Sequence, residues 1–241
     1  MKKFTAFAIL IAFSISFLNA QTDKKNVVKI FPTSVLFGKT TLGYERVINE
    51  NGSFTLNIGL PTGTNLESYA PSDTEEGLDI ISGKLKGFVF MPGYRLNLSK
   101  KGAPLGFFLD TYLKYENFNF NVDGEFSDEG ELYSSNIDAT LSAFGGGFAF
   151  GTQCLISDVV SLELSFFGLE AKAGTFDLTW LDKSGEVDLD KVYDELESSL
   201  SDVPVIGNKV ELTKTSNSVN ANIKNQFMPG FRFAFSLGIA F

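Results

Sequence analysis

The chain has 241 residues, 29 of them acidic and 20 basic, with 25 phenylalanines, one cysteine and no histidine. The net charge of −9 argues against nucleic-acid binding, which needs a basic face. A single cysteine excludes an intramolecular disulfide, and the absence of histidine removes the commonest general base and metal ligand.

The first twenty residues have the pattern of a secretory signal peptide. Lys2 and Lys3 precede an apolar run from Phe4 to Leu18, and Ala20 offers a small residue before a cleavage site. No other stretch is long and apolar enough to predict a transmembrane helix. We therefore expect residues 1–20 to be removed and residues 21–241 to form one exported domain.

Apolar residues after residue 26 recur with a period of two, which is typical of β-strands. A tight turn is expected at Asn51-Gly52, because both residues tolerate positive φ, and Gly145–Gly147 predicts a bulge or a sharp bend. Short connections are expected after the second, fourth and sixth strands, and long ones at 61–83, 123–135 and 181–225. The eight expected strands span 27–36, 39–48, 53–60, 84–98, 104–122, 136–156, 159–180 and about 226–241.

The longest expected connection has structure of its own. Apolar residues recur at helical spacing between acidic ones, so we expect a short amphipathic helix at about 189–200. Its apolar stripe favours a lid on the rim of the sheet, with a partner-binding helix as the alternative. Alternation at 209–214 and 219–224 predicts a hairpin that extends the sheet outward.

The last eleven residues alternate strictly between large apolar and small or polar side chains. Their length matches the ~9–11 residues that a tilted strand needs to cross a bilayer. Because open sheet edges cannot face lipid, a sheet in a membrane must close. The sequence thus predicts an all-β fold, an eight-stranded antiparallel up-and-down transmembrane β-barrel with one short helix in the last external loop. The large apolar residues of this C-terminal strand are Phe231, Phe233, Phe235, Leu237, Ile239 and Phe241.

Charged residues lie on the polar face of the expected strands. If the apolar face meets lipid, these charges point into a lumen that eight strands make narrow enough for side chains to fill. Buried charges must pair, so we predict a plug of two salt-bridge layers, with hydrated charges in a wet lumen as the open alternative. The network consists of Glu45, Arg95, Asp110 and Glu163 toward the periplasm and Lys114, Glu116 and Arg232 toward the outside.

The sequence shows no pattern typical of a catalytic, cofactor or metal site. A cluster of His or Cys ligands is missing, and the acidic runs 73–79 and 123–131 lack the spacing of a calcium loop. We expect these runs to be solvated external loops, with weak divalent-ion bridging to lipopolysaccharide phosphates as an alternative. Enzymatic activity and a bound cofactor are not expected.

Several short motifs carry a resemblance to a known group of proteins. They are Leu42-Gly43-Tyr44-Glu45-Arg46, the Asn-Gly turn that follows, the stretch 204–209 and the ending Pro229-Gly230-Phe231-Arg232…Phe241. The chain is similar to small bacterial outer-membrane barrels of the OmpA and OmpW type, and more narrowly it resembles an uncharacterised family of Gram-negative outer-membrane barrels. The resemblance implies a Gram-negative outer-membrane location, contact with its lipid and lipopolysaccharide, and recognition of the C-terminal strand by the barrel-assembly machinery.

Three functions remain open from the sequence. The leading one is a membrane-embedded barrel with a structural or surface-interaction role and a lumen filled by charged side chains. The second is a narrow channel or a lateral-gate transporter of small apolar solutes, with Gly145–Gly147 as a possible weak point of the wall. The third is a secreted lipocalin-like carrier, whose apolar face would point inward.

Overall fold

The computed structural model describes residues 24–62, 78–100, 102–128, 131–185, 187–201 and 210–241. The expected signal peptide, the stretch 204–209 and most of the first acidic connection lie outside these ranges. The described elements are β1 (Asn26–Phe31), a 3-10 helix (Pro32–Phe37), β2 (Lys39–Asn49), β3 (Gly52–Pro61), β4 (Leu78–Asn97), β5 (Gly106–Asp128), β6 (Glu131–Ile156), β7 (Val160–Asp182), α1 (Leu189–Ser201), β8 (Val210–Lys214), β9 (Ser218–Phe231) and β10 (Ala234–Ala240). The expectations of an all-β antiparallel fold and of one short α-helix are confirmed.

The sheet closes on itself. Each strand from β1 to β6 pairs antiparallel with the next one, β7 pairs with both β9 and β10, and β10 pairs with β1. The result is a ring with eight strand positions, in which β9 and β10 together occupy the eighth. β8 pairs with the upper half of β9. We call the end that carries the tight turns 50–51 and 157–159 the lower end of the ring.

The lower part of the ring has its large apolar side chains on the outside. Leu113 is 55% exposed, Phe144 56% and Ile239 60%. The opposite face of the same strands is buried and polar: Arg95 is 2% exposed and Glu163 1%. Strict alternation along each strand places these two kinds of side chain on opposite faces.

The outward face of β5, β6 and β7 changes character part-way along the strands. Below this point most outward side chains are apolar, with Thr111 and Thr152 as exceptions, and above it most are polar, with Leu181 as an exception. The last apolar outward row consists of Tyr115, Phe144 and Ala173. The next two outward rows consist of Asn117, Ser142 and Thr175, then of Asn119, Thr140, Asp177 and Asn222. We call the change between Tyr115 and Asn117 the polarity switch.

The inward face changes in the opposite sense. Glu116, just below the switch, is 6% exposed and ion-paired. Above it, the inward rows consist of Phe118, Leu141, Phe176 and Ile223, then of Phe120, Ala139, Leu178 and Ala221. The lower ring is therefore apolar outside and charged inside, whereas the upper sheet is polar outside and apolar inside.

The first strand is shorter than expected. Residues 32–36, expected to be strand, form the 3-10 helix instead, because Pro32 lacks the N–H that a ladder needs and stands at the start of the helix. The Ser34 hydroxyl donates to the Phe31 carbonyl at 2.6 Å and accepts from the Thr41 amide at 3.0 Å. These bonds satisfy local backbone groups without a neighbouring strand.

The expected long acidic connection at 123–135 is wrong. β5 continues to Asp128 and β6 begins at Glu131, in register down to Asp128 opposite Glu131. Within this hairpin the Asp123 carboxylate accepts hydrogen bonds from Ser82, Asn136 and Lys183. β4 likewise begins at Leu78, inside the expected connection at 61–83.

The end of the chain differs from the single strand expected at about 226–241. β9 begins at Ser218, so the second strand of the expected hairpin, 219–224, is continuous with the strand that completes the ring. The ladder then breaks at Arg232–Phe233 before β10 resumes at Ala234. The helix, by contrast, spans Leu189–Ser201, close to the expected 189–200. Within the described ranges, no helix has the length and apolar character needed to cross a membrane.

Candidate functional site

A cluster of five ionised side chains fills the lower ring, and we call it the lower cluster. Its members are Lys29, Glu45, Arg95, Asp110 and Glu163, which come from β1, β2, β4, β5 and β7. Each projects inward because it stands on the polar face of an alternating strand. All five side chains are at most 3% exposed.

Arg95 is the centre of the lower cluster. Its Nη1 and Nη2 donate to the two carboxylate oxygens of Glu163 at 2.9 and 3.0 Å, a bidentate pair. Nη2 also donates to Asp110 at 3.2 Å, and Nη1 lies 3.3 Å from Glu45. The guanidinium stacks over the Phe108 ring, 3.7 Å from its centroid.

Lys29 and Gln153 complete the lower cluster. The Lys29 ammonium contacts Glu45 and lies 2.5 Å from Glu163. The Gln153 carbonyl oxygen accepts from Lys29 at 3.1 Å and from Arg95 at 2.6 Å, while its amide donates to Ser161 at 3.1 Å. Two cations thus face three carboxylates, and hydrogen bonds serve most of the other polar atoms, as buried charges require. Glu45 Oε1 and Arg95 Nε are buried without a hydrogen-bond partner among the described residues.

A second group of ion pairs, the upper cluster, lies above the first. It consists of Lys114, Glu116, Glu170 and Lys172. Lys114 lies 2.8 Å from Glu170 and 3.3 Å from Glu116, and Lys172 contacts Glu116. The Tyr112 hydroxyl donates to Glu170 at 3.1 Å. Two cations and two carboxylates make this cluster neutral.

Arg232, expected in the outer layer, makes different contacts. Its guanidinium lies over the Tyr112 ring at 4.6 Å, and its Nη1 is 2.9 Å from the Met91 sulfur. Lys39 stands nearby on the inward face of β2. In the part of the chain that the structure describes, neither cation has a carboxylate within salt-bridge distance.

The structure therefore brings Glu45, Arg95, Asp110 and Glu163 into one cluster and Lys114 and Glu116 into another, and it keeps Arg232 apart from both. Sequence reasoning missed Lys29, Gln153, Glu170 and Lys172. Lys29 lies on the same inward face of β1 as Val27 and Phe31, so the alternation along this strand could have predicted its position. A register shift of β6 against β7, between Phe150 and Gly151, hid Glu170 and Lys172 by reversing the parity of β7 beyond Ser165. Gln153 lies on the inward face of β6 but carries no charge that would have singled it out.

The bulge expected at Gly145–Gly147 does not form. All three residues pair without a register shift with both β5 and β7. A Cβ atom on Gly145 would lie 2.1 Å from the Ala171 carbonyl oxygen, and one on Gly147 would lie 2.4 Å from that of Leu169. Glycine is required here because neighbouring backbones approach closely.

The wall is interrupted elsewhere, at a place that we call the seam. β10 pairs with β1 only from Ile30 downward. Above that level, Thr33 Oγ1 accepts from the Phe235 amide at 3.1 Å, and the 3-10 helix replaces a strand. The lower half of β9, residues 224–231, pairs with β7 on one side and has no strand partner on the other among the described residues.

A cavity of about 410 Å³ opens at the seam. Such a volume falls in the ~300–1,000 Å³ range of small-molecule sites. Its wall combines aromatic and aliphatic side chains with the two cations that lie outside the clusters. The lining includes Phe31, Lys39, Thr41, Val89, Met91, Glu170, Phe231, Arg232 and Phe233.

The C-terminal residues flank the seam and continue the outward apolar face. Phe231 is 81% exposed and Phe233 58%. Leu237, Ile239 and Phe241 also point outward, and Phe235 is half-buried. The residues between them, Ala234, Ser236 and Ala240, are buried.

Comparison with protein-family models, with curated proteins and with solved structures gave no match.

Proposed function

We propose that this chain is an integral outer-membrane β-barrel with a structural or surface-interaction role, closed by its own charged side chains. The observation that carries the proposal is the reversal of faces in the lower ring: large apolar side chains lie outside and ion pairs lie inside. In water this arrangement would expose the apolar face, which is unfavourable. In lipid, an apolar exterior and a polar interior are expected of a membrane-spanning barrel. A lipocalin-like carrier would need the opposite arrangement in the lower ring.

The closed lumen is the second element of the proposal. The lower cluster spans the ring from β1 to β7, and its members are almost fully buried. An eight-stranded ring has room for side chains or one small ligand, not for an aqueous channel. The remaining roles are then lipid-embedded scaffolding and the presentation of the polar upper sheet and α1.

The proposed surroundings follow from this arrangement. The apolar band would contact outer-membrane lipid and lipopolysaccharide of a Gram-negative cell, after export by a cleaved signal peptide. The barrel-assembly machinery would recognise the C-terminal strand. We propose no enzymatic activity, cofactor or metal. Within the described ranges, no group of three or more His, Cys, Asp or Glu side chains is placed to hold a metal ion.

Four measurements test the leading function. The chain expressed in a Gram-negative host should fractionate with the outer membrane, require detergent for extraction and migrate differently on a gel before and after heating. In planar bilayers it should give no large, steady conductance. Recovery in the soluble periplasmic fraction would contradict the membrane location, and a large open-channel current would contradict the closed lumen.

The seam favours a second candidate function, lateral-gate transport of small apolar solutes. A solute in the bilayer could reach the cavity between β9 and the 3-10 helix without crossing the lower cluster. Uptake of the apolar dye N-phenyl-1-naphthylamine by intact cells should rise when they make this chain. It should fall again for Thr41→Phe, which fills the cavity, and should stay high for Thr213→Phe on β8. Equal uptake with and without the chain would remove this function.

A further inference from the structure

The seam cavity differs from the two clusters because it contains cations that have no carboxylate partner among the described residues. Glu170 lines it, but Glu170 already pairs with Lys114 and accepts from Tyr112. The upper cluster as a whole is neutral. Lys39 and Arg232 therefore add two positive charges that no carboxylate of the described residues neutralises within 4 Å.

These two cations face an apolar wall. Phe31, Val89 and Met91 are buried inside the ring, at 4%, 6% and 7% exposure. Phe231 and Phe233 stand at the outer margin of the same cavity. A guanidinium and an ammonium held beside apolar surface have lost part of their hydration, and an anionic oxygen is the ligand that best restores it.

The break in the wall makes the cavity reachable from the side. Lys39 begins β2 next to the 3-10 helix, and Arg232 lies at the break between β9 and β10. The two cations thus belong to the two margins of the seam. A ligand with its charge between them would extend its apolar part along the phenylalanines of the outer margin.

We propose that the seam cavity binds a single-chain amphiphile with an anionic head, held by Lys39 and Arg232, with its apolar chain against Phe231 and Phe233. The inference rests on the second proposed function for the route by which such a molecule arrives from the bilayer. Binding itself is independent of transport and can be measured in detergent.

Native mass spectrometry tests the proposal on the chain extracted from membranes into tetraethylene glycol monooctyl ether. Dodecanoate and dodecyl phosphate are the probes, and dodecan-1-ol is the uncharged comparison. We expect one bound dodecanoate per chain and weaker binding of dodecan-1-ol. The double variant Lys39→Met/Arg232→Met should weaken dodecanoate binding at least about tenfold.

Matched variants separate the site from general charge effects. Lys84→Met/Lys86→Met removes the same two charges from exposed positions of β4 and should leave binding unchanged. Lys39→Arg/Arg232→Lys keeps both charges and should retain it. Thr41→Phe keeps both cations, reduces the cavity and should abolish binding, which covers the case in which the double Met variant does not fold.

The outcomes decide between the alternatives. Equal binding of dodecan-1-ol and dodecanoate, or unchanged dodecanoate binding in Lys39→Met/Arg232→Met, would overturn anion recognition at this site. Preference for either anionic probe over the alcohol supports it, and the tighter of the two identifies a carboxylate or a phosphate head. If dodecanoate binds while dye uptake does not depend on the chain, only the transport function fails.

Discussion

Arg95 shows how much of the lower ring depends on one side chain. It bonds two oxygens of Glu163 and also reaches Asp110 and Glu45, while its flat face lies on Phe108. Three carboxylates at 1% exposure cannot recover their hydration inside the ring. The contribution of Arg95 is therefore mainly to prevent an uncompensated buried charge, since a buried ion pair adds little by itself.

Arg95→Met should lower the free energy of unfolding in detergent by about 3–5 kcal/mol, the range for removing one partner of a buried pair. Urea denaturation followed by circular dichroism measures this difference. Arg46→Met is the matched control, because Arg46 is exposed and, among the described residues, its guanidinium donates only to Asn26, at 2.6 Å. Its effect should stay below about 1 kcal/mol. Equal losses in the two variants would show that Arg95 is not central.

Asp123, above the polarity switch, has a carboxyl group whose pKa depends on its hydrogen bonds. A hydrogen bond from Lys183 at 2.5 Å, together with one from Asn136 at 2.8 Å, holds the pKa of the Asp123 carboxyl below its usual value. The folded-state pKa is thus below that of the unfolded chain, so the contribution to stability is present above the unfolded pKa. It is lost as the pH falls through the folded pKa.

Lys183→Met should therefore raise the pKa of Asp123 toward that of a free aspartate, about 3.9. Carboxyl carbon NMR between pH 2 and 6 measures this shift. Lys214→Met serves as the control, because Lys214 contacts Asp190 instead and should leave Asp123 unchanged. If the pKa of Asp123 is unchanged in Lys183→Met, the other hydrogen bonds to Asp123, and not the one from Lys183, lower it.

At the scale of elements, hydrogen bonds of the Thr33 side chain take the place of the β1–β10 ladder at the seam. Pro32 ends β1, and the 3-10 helix that follows touches β10 through Thr33. The Thr33 hydroxyl oxygen accepts from the Phe235 amide at 3.1 Å and lies 3.4 Å from the Phe235 carbonyl. Below this point the wall is held by the ladder between β1 and β10, which ends at Ile30 opposite Leu237.

Thr33→Val should destabilise the ring by about 1 kcal/mol, the typical net contribution of a hydrogen bond, and should raise amide exchange at Phe235. Hydrogen exchange read by mass spectrometry detects this local opening. Thr213→Val, at an exposed position of β8, is the isosteric control and should change neither quantity. Unaltered protection at Phe235 in Thr33→Val would show that the helix holds the seam by other contacts.

Elements with clear local patterns could be predicted from the sequence, and those set by pairing between strands could not. Helix α1 and the turn at Asn51-Gly52 depend on local residues. The register shift near Phe150 depends on how β6 meets β7, and no residue in either strand announces it. For that reason Glu163 was recognised as an inward charge, whereas Glu170 was missed.

The acidic segment at residues 123–135 was also mispredicted because its structure depends on pairing between strands. Charge and sparse apolar residues favoured a loop, but each strand there is stabilised by its neighbour. Glu125 opposite Ser134 continues the ladder above the switch. Pairing over a long hairpin overrides the low strand propensity of aspartate and glutamate.

At the scale of the whole molecule, the polarity switch divides the chain into two environments. Along β5, the outward positions from Phe107 to Tyr115 are apolar except for Thr111, and this span is close to the ~9–11 residues of a membrane-spanning strand. Above Asn117 the outward rows are polar and hydrogen-bonded, as in the contact between Asn121 and Asp138. The proposed membrane boundary lies between these two regions.

Tryptophan fluorescence can locate this boundary. In a Trp180→Phe background, Leu113→Trp should be quenched strongly by lipids brominated on their acyl chains. Thr140→Trp, on the outward face above the switch, should not be quenched. Both variants are reconstituted into the same phosphatidylcholine vesicles. Equal quenching at the two positions would move the boundary upward, and no quenching at Leu113 would remove the ring from the bilayer.

The way the ring closes also governs the order in which it can be built. Neighbouring hairpins such as β5–β6 bring together residues that are close in the chain, whereas Asn26 and Phe241 meet across 215 positions. The joining ladder of β1 with β10 contains only four residue pairs, fewer than any other pair of neighbours in the ring. Loop-closure entropy opposes the pairing of β1 with β10 more than the pairing within any hairpin, and this short ladder contributes the least stabilisation in return. Zipping of the hairpins should therefore precede joining of the two chain ends, and the last step of assembly coincides with burial of Lys29 against its carboxylate partners.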